Sequence, residues 1–293
     1  MFEKLNDTVA APPERKKLVH TSGRFTEALL KEGEHIGHGI FGVVKKVEAS
    51  FGEAMSEKKR TFAVKRFHNV EYVDNSVAVH TALKKAGVET WSTYRRVDGE
   101  SAAVMTYGGK DGAYLISPSG ESQGKEKYKE KKIDEIEGFE EAIQKAIDNA
   151  KLAGENGILV PGDAWFASVN ESMTTISPHQ KANIQNLFIG DYDDVGINFR
   201  PSFRDQETQR KYGGIIHADT FEKEYTIYRN LYNLYCFVDV LSEQFFSEQI
   251  SQSMKRGFLE IIANAGREID SKDKALGRWG NLVQRYERKK NRV

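Results

Sequence analysis

The segment "IGHGIFGVVKKVEA", residues 36–49, limits what this chain can build more than any other stretch. Gly37, Gly39 and Gly42 fall in a G-x-G-x-x-G pattern, and Val43, Val44 and Val47 follow at once. A glycine run that cradles a dinucleotide leaves a strand and opens straight into a helix, whose first turn meets the pyrophosphate. Here β-branched residues follow instead, and these favour strands. The glycines therefore belong to a strand–turn–strand hairpin, and the dinucleotide reading fails.

The neighbouring texture extends the hairpin. "RTFAVKRF" (60–67) has the length and alternation of a further strand, joined to the hairpin by the polar "SFGEAMSEKK" (50–59). "NSVAVHTALKKAG" (75–87) reads as a helix stopped by Gly87, and "TWSTYRRV" and "SAAVMTY" read as strands about the turn Asp98-Gly99. Residues 1–28 are polar, carry Pro12-Pro13 and a short basic run, and read as a loose arm. The glycine- and charge-rich 118–132 reads as a linker or solvated loop. Ile133, Ile136, Phe139, Ile143 and Ile147 recur at helical spacing, which predicts an amphipathic helix over 133–153, ended by Gly154 and Gly157. Beyond it come two short strand candidates, "SMTTIS" and "NLFIGDYD", and then a largely helical remainder. "FEKEYTIYRNLYNLYCFVDVLSEQFF" (221–246) is apolar on most of its circumference, as a helix in the middle of a domain should be.

The bulk numbers exclude several classes. Forty-three basic and 43 acidic side chains cancel, so no net field directs the chain to nucleic acid or an anionic membrane. The N-terminus has no apolar signal-like core, and nowhere do 18 apolar residues run together, so no membrane span is expected. The single cysteine, Cys236, lies in "LYCFVDVL" and reads as a buried small hydrophobe. No zinc cluster, H-E-x-x-H pair or G-x-S-x-G elbow is present.

Taken in order, these segments resemble the protein-kinase-like superfamily. The hairpin is similar to the glycine-rich flap G-x-G-x-x-G-x-V, with Gly37, Gly39, Gly42 and Val44 in its four positions. "FAVKRF" resembles the strand V-A-I-K, with Lys65 as the lysine. "AAVMTYGG" looks like the hinge strand, with Met105 as gatekeeper and Thr106 and Gly108 offering backbone groups to adenine. "NGILVPGDAWFASVN" resembles the H-R-D and H-G-D loops, with Pro161 in place of the histidine and Asp163 as the aspartate that accepts the substrate hydroxyl proton. "LFIGDYDDVG" is similar to D-F-G or D-[FWY]-[DE], with Asp191 as a magnesium ligand.

The resemblance implies an α+β, bilobal protein-kinase-like fold, with a β-rich N-lobe (29–109) after the arm and a helical C-lobe (110–293). It implies an ATP- and magnesium-dependent phosphotransferase acting on a protein hydroxyl. A small-molecule kinase of the aminoglycoside or inositol type, or a pseudokinase scaffold, stands as the alternative. "PGD" and "DYDD" lean toward the small-molecule form, with Asp193 or Asp194 as its extra acid. The match frays at two points. The helix glutamate expected to pair with the lysine is replaced by Ser76, and the asparagine expected five residues after Asp163 is Ser168, with Asn170 two further on as the candidate second metal ligand. Such divergence fits a cytoplasmic protein, or a bacterial or viral one exported into a host cell without a recognisable signal peptide.

Overall fold

The computed structural model of the chain describes residues 15–20, 23–39, 41–52, 58–91, 93–107, 113–118, 129, 132, 133, 136, 138–172, 181–193, 195, 222–272 and 279–290. Strands β1 (Lys16–Val19), β2 (Phe25–Gly39), β3 (Gly42–Phe51), β4 (Lys58–Phe67), β5 (Tyr94–Val97) and β6 (Ala102–Thr106) form a closed antiparallel barrel in the order β1-β2-β3-β4-β6-β5. Helix α1 (Val70–Lys85) links β4 to β5. The second half holds β7 (Ala113–Ile116), α2 (Phe139–Glu155), a 3₁₀ turn at Gly162–Ala164, β8 (Trp165–Ser172), β9 (Lys181–Ile189), α3 (Glu222–Phe245), α4 (Gln252–Lys272) and α5 (Trp279–Lys290). β7, β8 and β9 make a separate three-stranded antiparallel sheet.

This architecture overturns the expected bilobal kinase-like fold. The first half is a barrel closed on itself rather than an open lobe sheet, and the second half carries a sheet among its helices. Closure has two visible causes. β1 comes from the stretch read as a loose arm: Leu18 pairs with Val97 on β5, and both are 1% exposed inside the barrel. β2 is 15 residues long and takes register irregularities between Glu32 and His35 and between His35 and Gly37. Bulges bend and twist a strand, and a sheet needs that curvature to meet its own edge. The lumen is filled by small and branched side chains, among them Ala28, Val47, Ala49, Val64, Ala102 and Val104.

The second sheet hides in "DAWFASVN". Trp165, Ala167 and Val169 are buried at every other position of β8, the alternation of a half-covered strand. "SMTTIS" contributes its Ser172 to the end of β8, and its remaining residues lie outside the described ones. α2 begins at Phe139, after Gly138 in the left-handed region (φ 75°), and not at 133. Ile133 instead bridges to the residues after α3, its N–H donating to the Phe245 carbonyl at 2.7 Å.

α2 and α3 cross very closely. A Cβ added at Gly154 would stand 2.5 Å from the Ile227 nitrogen. Near this crossing the fully buried Asn230 accepts from the Val160 N–H at 2.8 Å and donates to the carbonyls of Ala150 (3.1 Å) and Ile158 (2.8 Å). Asn233 donates to the Val160 carbonyl at 2.8 Å. Two side chains of α3 thus fix "ILVPG", the run that leads into the 3₁₀ turn at Asp163. Among the described residues no helix is long and apolar enough to cross a membrane.

Candidate functional site

On β4 alternate side chains serve opposite faces. Val64 fills the lumen, whereas Ala63 and Phe67 join the large core outside the barrel. Lys65 shares the outward parity and is 7% exposed. Its Nζ lies 3.0 Å from Asp191 Oδ1 and also donates to Asp193 Oδ2. Both carboxylates of the D-Y-D run thus reach Lys65. Tyr192 is buried, with its ring beside Tyr94 and His80.

The acidic segment is held from several directions. The N–H groups of Gly190 and Asp191 both approach the Ala164 carbonyl, at 2.9 and 3.3 Å, so the Asp191 backbone lies against the turn that carries Asp163. Trp91 donates its indole N–H to the Gly190 carbonyl at 3.0 Å and its backbone N–H to the Tyr192 hydroxyl at 3.2 Å. Asn75 of α1 donates to the Asp193 carbonyl at 3.4 Å, and the Asp193 N–H reaches Asp191 Oδ1 at 3.3 Å. Barrel, α1 and second sheet thus converge on Gly190–Asp193.

Electrostatics differ among the three charged groups. Burial opposes the charge on Lys65, but the attraction of Asp191 and Asp193 outweighs it and holds the ammonium above lysine's usual range. Asp193 has a side chain only 3% exposed; burial, then the negative charge of Asp191, push its carboxyl up to about 7 against the pull of Lys65. Asp191 is 39% exposed and faces outward from the same cluster.

Of the expected site residues, Lys65 and Asp191 are brought together, and Asp163 sits exposed on the adjoining turn. The glycines do form a hairpin: Gly37 pairs with Val44 and Gly39 with Gly42, and Val44 in turn pairs with Lys65 on β4. Among the described residues nothing lies within 4 Å of a would-be Cβ at Gly39. Gly42 is needed for another reason, since its Cβ would meet the Arg66 carbonyl at 2.2 Å. Met105 is buried between Ala63 and Tyr94. The Thr106 N–H donates to the Thr93 carbonyl at 3.0 Å, so this amide is used within the barrel and not offered to adenine. Gly108 and Asp194 lie outside the described residues.

Asn170 and Ser168 are not brought to the site. Ala164 touches Asp191, and Asn170 lies six residues farther on, roughly 20 Å along an extended strand. The acid that joins Asp191 at Lys65 is Asp193. The missing lysine partner on α1 also finds its explanation. Ser76 is fully buried and bonded to the Tyr94 hydroxyl at 2.5 Å, and Asp74 pairs outward with Arg96 at 2.8 Å. Lys65 takes its counter-charges from Asp191 and Asp193 instead. The alternation of D-Y-D was the available signal, because it places residues 191 and 193 on one face.

The donor set suits magnesium carried by a nucleotide. Among the described residues Asp193 Oδ1 is buried without a hydrogen-bond partner, beside the exposed carboxylate of Asp191. Among the described residues no cluster of three or more His, Cys, Asp or Glu side chains forms an all-protein metal cage. Magnesium is commonly held by one or two carboxylates plus substrate phosphates, so two acids fit. Searched against protein-family models and against curated protein sequences, the chain matches none.

Proposed function

We propose that the chain is an ATP- and magnesium-dependent phosphotransferase, with a protein hydroxyl as acceptor. The observation that carries this reading is the buried Lys65 clasped by Asp191 and Asp193 beneath a glycine hairpin, with Asp163 on the adjoining turn. Phosphoryl transfer asks mainly for positioning and charge compensation, and little covalent chemistry. Lys65 supplies a fixed ammonium for the nucleotide phosphates. Asp191 and Asp193 are the residues that would hold magnesium, which neutralises charge on the phosphate oxygens. Asp163, exposed and free of burial, takes the proton of the attacking hydroxyl. The place of Asp193 in the cluster favours a second reading, a small-molecule hydroxyl as acceptor, because the extra acid after the metal aspartate marks that form.

Labelled ATP tests both readings on one preparation. Label transferred to the chain or to added protein supports the first, and label found only in added polyols or aminoglycosides supports the second. Lys65→Ala should abolish transfer; because it removes a buried stem along with the charge, its melting curve is read on the same preparation, and Lys65→Met, which keeps the stem, should abolish transfer too. Asp163→Asn should lower turnover by roughly 10²–10⁴-fold with little change in nucleotide affinity. Normal transfer by a folded Lys65→Ala protein would falsify the assignment.

A further inference from the structure

The two ends of the barrel lumen are finished differently. At one end Arg66 donates to Glu32 and Glu100, both contacts at 2.7 Å, and Lys16 pairs with Glu100 at 3.1 Å. Charge is matched there by charge. At the other end a cavity of about 280 Å³ opens, floored by Leu18, Phe62 and Val104. Its rim carries Lys58 and Arg60 of β4 and Arg95 of β5. Parity places them there: 58, 60 and 62 share the face of Val64, and 95 shares that of Val97.

These three cations stand apart from their neighbours. Lys45, Lys46, Lys59, Arg66 and Arg96 on the surrounding strands each lie within ion-pair distance of a carboxylate. Among the described residues no such carboxylate is found for Lys58, Arg60 or Arg95. Arg95 donates through Nη1 to the Thr26 hydroxyl at 3.1 Å, and its buried Nε has no partner among the described residues. Unmatched positive charge over an apolar floor is the complement of an amphiphilic acid.

We propose that this end of the barrel is a binding site for a small organic anion, a carboxylic acid with a medium-length alkyl or aryl body. The carboxylate sits among Lys58, Arg60 and Arg95, where the arginine fork offers paired donors. The body lies on Leu18, Phe62 and Val104. A volume near 280 Å³ is at the small end for ligand pockets, which limits the body to a medium-length chain or one ring. The site is separate from the Lys65 cluster, since the two occupy opposite faces of β4.

Calorimetry of the full chain with hexanoate, octanoate and decanoate tests the proposal, with 1-octanol and inorganic phosphate as controls. Octanoate should bind saturably and raise the melting temperature. Affinity should grow roughly fourfold per methylene, as apolar transfer dictates, and stop growing once the cavity is full. Arg60→Glu, on the exposed rim, should weaken octanoate at least tenfold with the far-ultraviolet spectrum unchanged, and Lys58→Glu should do the same independently. Three results would overturn the proposal: no saturable octanoate binding, octanol binding as tightly as octanoate, or phosphate binding as tightly as octanoate. Unaltered octanoate affinity in both folded variants would do so as well.

Discussion

A carboxyl group buried beside a second carboxylate and a lysine is held between two charge states, and Asp193 is such a group. Its position near 7 means that the folded chain keeps a proton which the unfolded chain releases near 4. Without ligand, its contribution to stability is therefore lost as pH rises from about 4 to about 7. A cation at this site would displace that proton. Affinity for magnesium–ATP should rise with pH between about 6 and 8, by up to about tenfold per unit, and level off above. Calorimetry in buffers of different ionisation heat reads the proton released, and Asp193→Asn should release less. An identical release from the Asn variant would detach the proton from Asp193. At this scale much of the site was legible. Lys65, Asp163 and Asp191 stand out because each occupies a motif position with its own local context. The grip of Asp193 on Lys65 was not, because it joins β4 to a loop 128 residues away and no local pattern encodes that distance.

Elements place these residues, and α3 places more than its length suggests. Asn230 satisfies one N–H and two carbonyls of the chain around "ILVPG", so this polar side chain fixes the approach to Asp163. Replacing it with leucine leaves those groups buried and unmatched, at about 1–3 kcal/mol each. Asn230→Leu should lower the melting temperature by several degrees and reduce turnover as well, whereas the exposed Gln252→Leu should do neither. Gly154→Ala should be as damaging, since the new methyl meets the Ile227 backbone and not a movable side chain. A melting curve within a degree of the parent for Gly154→Ala would show that the helices separate freely. The periodicity of α2 and α3 was plain in the sequence, as were the separate strands that became β3, β4 and β6. β8 was obscured because its alternation overlaps the residues of a catalytic-loop pattern, and α2 starts six residues late because Ile133 packs as a bridge instead.

For the whole molecule the decisive event is the return of β1 to β5. Four residues with two lysines carry no strand signature, and only closure explains why Leu18 belongs inside. That closure depends on pairing over a separation no periodicity registers, which is why the barrel could not be foreseen. Leu18→Ala should cost about 2–5 kcal/mol through the cavity it leaves, and it should also deepen the octanoate pocket. Differential scanning calorimetry would read the loss; a cost under about 0.5 kcal/mol would mean that β1 is an ornament on the sheet. β4 runs through the middle of this design as a wall with a different room on each side. The consequence concerns insertions and deletions. One residue gained or lost between Lys58 and Lys65 would turn the strand over, sending Lys65 into the lumen and Val64 or Arg66 to face Asp191 and Asp193. Any lineage of this protein should therefore keep the spacing from Arg60 to Lys65 unchanged.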